Sequence, residues 1–174
     1  MSHCVLGLII SIADDHLGGY NGGVSDQGPR HPAVLMERLS FLLKQTSALV
    51  ERAIEPGLAR TGINGREFGV LTLVDAEGPA SQQRLAGLIG VDRTTMVALI
   101  DALEEKRLVR RRRDPNDRRA YLLEATSAGR KTLRNARKAV ELGEQRALAS
   151  LTASESATLK QALQRLAQAQ PPGT

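Results

Sequence analysis

With 174 residues and 41% hydrophobic content, the chain can form one domain with a real core, or one protomer of an intertwined dimer. A single cysteine excludes an internal disulfide and fits a reducing cytoplasm, and no apolar run approaches the length of a membrane span. The net charge is +5, and with two Phe, two Tyr and no Trp there are few platforms for stacking unpaired bases, so duplex DNA is the favoured polyanion.

Residues 1–31 differ from the rest. Val5 to Ile12 is a short apolar run, followed by Asp14-Asp15 and the Gly-rich stretch from Gly18 to Gly23. A secretory signal would need a cationic start and a small-residue cleavage site, and the glycines do not keep the Gly-x-Gly-x-x-Gly spacing of a dinucleotide loop. The stretch reads as a flexible extension whose apolar patch packs on a partner chain, or equally as an over-extended translation start. Cys4 lies here without a basic neighbour to lower its thiol pKa, which makes a bland cysteine the safer reading and a redox-sensing thiol the lesser one.

A long helix is expected over residues 32–56. Leu35, Leu39, Leu42, Thr46, Leu49 and Ala53 alternate spacings of four and three, the seam of helix-on-helix packing, and Pro56-Gly57 should stop it. Asn64 with Glu67 forms a capping box for a helix through Phe68, Leu71 and Val74, closed by Gly78-Pro79. Ser81 then caps a short helix from Gln82 to Ile89, and Gly90 breaks the pattern. Asp92 caps the next helix, whose Met96, Leu99, Ile100 and Leu103 form an apolar stripe. Helix, glycine turn, helix is a helix-turn-helix, the second helix lying in a major groove. Ala86 is small enough to let the two helices cross closely. Leu108 to Arg113 reads as a strand and Ala120 to Glu124 as its return, with turn formers at Asp114-Pro115-Asn116-Asp117 between them. A hairpin placed there is a wing.

Here the sequence resembles the MarR (multiple antibiotic resistance regulator) family. The run Asp114-Pro-Asn-Asp-Arg-Arg119, then Thr126 and Gly129, is similar to that family's wing signature of Asp-x-Arg followed by Leu-Thr. Asp117 and Arg119 match the pair and Thr126 the threonine, while Ala125 stands where Leu is usual. Arg107 replaces the glycine usual after the recognition helix, so a less sharp turn into the wing is expected. The resemblance runs from about Leu35 to Ala167 and is dense from Ser81 to Gly129. It implies a pocket between dimer helices and winged domain for a small aromatic or lipophilic effector. Phe41 and Phe68 are candidate pocket residues, with plain core packing as the alternative.

Beyond the wing, Thr126 caps a long helix with Leu133, Ala136, Val140 and Ala147 on one face. Thr152 and Glu155 box a last helix bearing Leu159, Leu163 and Leu166. A winged domain this small cannot bury the apolar faces of all three terminal helices, so a homodimer with interleaved arms is expected. The expected fold is mainly α: a winged helix-turn-helix at residues 64–125, an N-terminal dimerisation helix at 32–56, and C-terminal dimerisation helices at 126–169.

The base-reading candidates are Arg93 (bidentate to guanine), Thr94 and Thr95 (base edge or phosphate) and Val97 (a thymine methyl). Ala98 offers nothing polar, so direct readout is sparse. In the wing, Arg119 is the minor-groove candidate, flanked by Arg118. Asp117 orients Arg119 by a charge-assisted hydrogen bond, or is a plain turn aspartate. Between Lys106 and Arg119 lie eight Lys/Arg against two Asp, a local +6 on an otherwise slightly acidic chain. Lys106, Arg110, Arg111, Arg112 and Arg113 are phosphate contacts, or serve solubility alone. No assembled catalytic constellation, metal set or cofactor motif is present, so an enzyme is not expected. The expected function is a cytoplasmic, ligand-responsive regulator, a repressor, that binds double-stranded DNA sequence-specifically on a pseudo-palindromic operator. A sequence-tolerant architectural DNA binder is the rival.

Overall fold

In the computed structural model the described residues are 32–115, 117 and 120–169. The expectations placed on residues 1–31, with Cys4, and on Arg118 and Arg119 lie outside them. The helices are α1 (Ala33–Met36), α2 (Leu39–Ala59), α3 (Gly65–Glu77), α4 (Gln82–Ile89), α5 (Arg93–Glu105), α6 (Ser127–Ala147) and α7 (Ala153–Gln168). A small antiparallel sheet holds β1 (Ala80–Ser81), β2 (Val109–Arg113) and β3 (Tyr121–Ala125) in the order β1-β3-β2. Among the described residues no helix is long and apolar enough to cross a membrane.

The helix starts follow the capping chemistry. Asn64 accepts from the Glu67 amide at 2.9 Å while the Glu67 carboxylate accepts from the Asn64 amide at 3.0 Å. Ser81, Asp92, Thr126 and Thr152 each accept from a first-turn amide. Gly90 ends α4 at φ 69°, the left-handed conformation that makes the tight turn cheap for a residue without a Cβ. Met96, Leu99, Ile100 and Leu103 of α5 meet Leu71 and Val74 of α3, Leu85 of α4 and Leu123 of β3 in one buried cluster.

The front of the chain departs from expectation. The long helix does not begin at Pro32: a single turn, α1, ends at Met36, and Arg38 is extended at φ −96°, ψ 117° before α2 starts. Nor does Pro56 stop it. Proline removes one helical N–H donor, but Ile54 and Leu58 on either side of it are buried, and α2 packs chiefly along α6. That burial carries the helix on to Ala59. Of the seam expected to pack in a dimer, Leu35, Leu39 and Leu49 remain 39–64% exposed in the protomer.

The step into the wing is sharp despite the arginine. Arg107 adopts φ 58°, its amide donates to Glu104 O at 2.8 Å, and the Leu108 amide donates to Leu103 O at 2.9 Å. This double bond pattern is the usual glycine helix stop, reached here by a residue that carries a Cβ penalty. Sequence reading did not find β1, which pairs Ala80 with Leu123 and Ser81 with Leu122. Gly129 has a steric reason to be glycine: a Cβ there would stand 2.0 Å from Leu108 O, where the start of the wing crosses the first turn of α6.

Candidate nucleic-acid interface

Two elements offer the surface. On α5 the buried stripe leaves Arg93, Thr94 and Ala98 exposed and Val97 half-buried. The Asp92 cap fixes the first turn: its Oδ1 accepts from the Thr94 amide at 2.8 Å and the Thr95 amide at 3.0 Å. Its Oδ2 accepts from the Thr95 hydroxyl at 2.5 Å. These bonds, the Thr95 hydroxyl foremost, hold the Asp92 carboxyl below its ordinary pKa. Thr95 therefore spends its donor on the cap, which leaves Arg93 and Thr94 as the polar groups standing clear. Farther along, the outward positions become acidic, with Asp101 and Glu105 exposed.

On the hairpin, strand alternation divides the arginine run. Val109 is buried opposite Ala125, so Arg111 and Arg113 share its face of the sheet, while Arg110 and Arg112 take the other. The tip closes through the Asp114 amide on Ala120 O and the Ala120 amide on Asp117 O, both 3.0 Å. Arg112 and Arg113 are exposed and make no ion pair among the described residues.

Lys106, Arg110 and Arg111 are engaged. Lys106 points away from the wing: its ammonium lies 2.7 Å from both carboxylate oxygens of Glu67 and 2.9 Å from Gly62 O. Its three donors are met by the Gly62 carbonyl and by a carboxylate that is only 3% exposed, so Lys106 leaves the phosphate set. Arg110 pairs across the strands with Glu124 but stays 68% exposed. Arg111 reaches back to α5, with one guanidinium nitrogen 2.6 Å from Glu104 and the other 2.5 Å from Asp101. Among the described residues, three cations of the run, Lys106, Arg110 and Arg111, are thus paired.

The expectation of a single basic patch also falls short. On α6, Arg130, Lys131, Arg134 and Lys138 are exposed, and Arg137 pairs with Asp75 at 3.4 Å. Their positions opposite Leu133, Ala136 and Val140 were open to detection by the same helical spacing. Of the pocket candidates, Phe68 is 6% exposed within the core and Phe41 is half-buried on α2. An open depression at the α6–α7 turn, lined by Leu151, Ser154, Glu155, Thr158 and Leu159, includes neither. Phe68 is therefore a core residue.

A recognition helix with a short partner helix, a three-stranded sheet and a hairpin wing defines a winged helix-turn-helix protein. The sequence profile of the MarR family matches residues 63–121. The chain is 35% identical over 129 residues, 74% of its length, to a Thauera aromatica protein described as a transcriptional regulatory protein for the hcr operon, of which 78% is covered. It resembles the transcriptional repressor CouR bound to a 23-mer DNA duplex, with 33% identity, TM-score 0.72, and coverage of 77% of this chain and 95% of that one. CouR from Rhodococcus jostii RHA1 bound to p-coumaroyl-CoA gives 30% identity, TM-score 0.67, and coverage of 80% and 98%. The chain belongs to the MarR family of transcriptional regulators, and is a regulator rather than an enzyme.

Proposed function

We propose that the protein acts as a homodimeric repressor that reads a pseudo-palindromic DNA operator and is released by a small effector. The observation that carries the reading is the pairing of α5, whose first turns hold Arg93 and Thr94 clear of the core, with a wing whose Arg112 and Arg113 stand exposed beside it. In this reading residues 64–125 bind DNA while α1, α2, α6 and α7 form the two-fold interface, setting two recognition helices ~34 Å apart. Arg93 is bidentate to a guanine, Thr94 and Val97 touch neighbouring base edges, and Arg119, flanked by Arg118 and oriented by Asp117, occupies the flanking minor groove. The likeness to CouR bound to p-coumaroyl-CoA favours the coenzyme A thioester of an aromatic acid as the effector.

Three variants test the reading against a sequence-tolerant architectural binder. Arg93→Ala should cost ~1–3 kcal/mol per half-site on the operator and relax discrimination at one or two base pairs. Arg119→Ala should weaken operator binding with its sequence effect confined to A·T-rich flanks. Arg112→Ala should lower affinity for operator and random duplex alike, since a phosphate contact carries no base information. Fluorescence anisotropy on both duplexes, with thermal unfolding unchanged, reads all three. Equal losses on operator and random DNA for Arg93→Ala would remove α5 as the reader.

A further inference from the structure

We infer that Arg111 is a positioning residue: a strut from the wing to the recognition helix that fixes the angle between them, rather than a contact to the DNA backbone. The inference rests on the reading that α5 and the wing engage DNA together. Three observations carry it. First, Arg111 lies on the face of β2 that carries the buried Val109, so its side chain leaves the hairpin toward the body of the protein. Second, its guanidinium spans two carboxylates one helical turn apart on α5, Asp101 at 2.5 Å and Glu104 at 2.6 Å. Its own amide also lies 3.4 Å from Glu104 Oε1. Third, it is 34% exposed at the side chain, half the exposure of Arg110 at 68%, so this cation is the more withdrawn from solvent.

The contact has two physical consequences. Each separate ion pair at such exposure is weak, but a planar fork held by two acceptors loses little more freedom for the second bond than for the first. Among the described residues the hairpin otherwise joins α5 through the tight Arg107 turn, the base of β2 and the core contacts of Leu123. A link two residues up the strand from Val109 resists swinging of the wing about that base. The second consequence is electrostatic. Asp101 and Glu104 are carboxylates on the helix meant to enter a groove lined with phosphates, and their charge would oppose binding. Arg111 offsets one of their two negative charges in place, so the acidic end of α5 meets DNA with its charge halved. Arg111 thereby shapes affinity without adding a phosphate contact.

A lysine keeps the charge of Arg111 but cannot span both carboxylates. With a strut, Arg111→Lys and Arg111→Ala should both weaken operator binding about tenfold per dimer, a loss in the range of close coupled pairs. Neither should change the slope of log K against log salt on random duplex. In an Asp101→Asn/Glu104→Gln background, Arg111→Ala should cost nothing further. With a phosphate contact, Arg111→Lys should bind like the parent. Arg111→Ala should then flatten the slope by about 2 per dimer, ~0.9 for each phosphate lost, and keep its cost in the neutralised background. Either of those results overturns the inference. Thermal unfolding without DNA separates its failure from that of the functional reading. Non-additive melting of Arg111→Ala with Asp101→Asn/Glu104→Gln shows the strut even if Arg93→Ala leaves DNA binding intact. Additive melting removes the strut even if α5 is the reader.

Discussion

The centre of the chain and its ends obey different rules. In the winged centre the apolar residues find partners within one chain: Leu71, Leu85, Met96, Ile100, Leu103 and Leu123 are all below 3% exposed. At the ends Ile54, Leu58 and Leu133 are buried between α2 and its neighbours, but other residues of the same types stay in solvent. Leu39 is 64% exposed, Leu49 46%, Leu142 52% and Leu166 60%, and α7 buries no residue at all. The winged unit packs its core within a protomer, while the arms leave an apolar surface uncovered among the described residues. Covering it with a second copy would place two readers on one duplex, so the largest effect should come from keeping the copies apart.

Leu39→Asp combined with Leu166→Asp puts charge on both exposed apolar faces and should convert a dimer into a monomer by light scattering at micromolar concentration. The winged centre should keep its fold, and operator affinity should fall by ~10²–10⁴ as bivalent binding is lost. A monomeric mass for the parent protein, with helices intact, would sink the comparison.

The two regions also differ in how much of them the sequence reveals. Caps are local: Ser81, Asp92, Thr126 and Thr152 each bond an amide within three residues, so their type and place are enough to find them. What hid from the sequence depends on distant partners. The strand at Ala80–Ser81 exists because Leu122 and Leu123 arrive beside it. Lys106 is drawn from DNA by a carboxylate 39 residues earlier, and Arg111 by acids on another element. A run of cations in sequence says where charge is, but not which carboxylates the fold will bring to it. Pro56 belongs to the same set, since its helix persists through burial against α6.

A smaller effect lies at the hinge between recognition helix and wing. Arg107 holds φ 58°, where a side chain costs energy that glycine avoids. Arg107→Gly should stabilise the protein by ~0.5–1 kcal/mol, part of the relief being lost to the freer unfolded chain. That should raise the melting temperature by ~1–3 °C for a chain of this size. A lower melting temperature would mean the arginine side chain contributes more than its backbone costs.

The smallest effect probes the ends again, through Glu144 near the C-terminus of α6. Burial pushes its carboxyl above the ordinary value of 4.5, Lys160 of α7 opposes that rise, and Glu141 adds to it. The negative end of the helix dipole disfavours the anion as well. A carboxyl that binds its proton more tightly folded than unfolded costs stability when ionised. That cost is present at neutral pH and disappears as pH falls through the raised folded value to below the ordinary one. Glu144→Gln carries no charge at any pH, so it should melt above the parent at pH 7, and the gap should close by about pH 4. Glu51 on α2 is raised by burial too, so the parent has its own pH trend, and the variant-minus-parent difference isolates Glu144. If a second copy covers this end of α6, desolvation is deeper in the assembly. The gap at pH 7 should then widen at protein concentrations where light scattering reports the dimer. A gap that stays constant from pH 4 to pH 8 would mean Glu144 acts through packing alone.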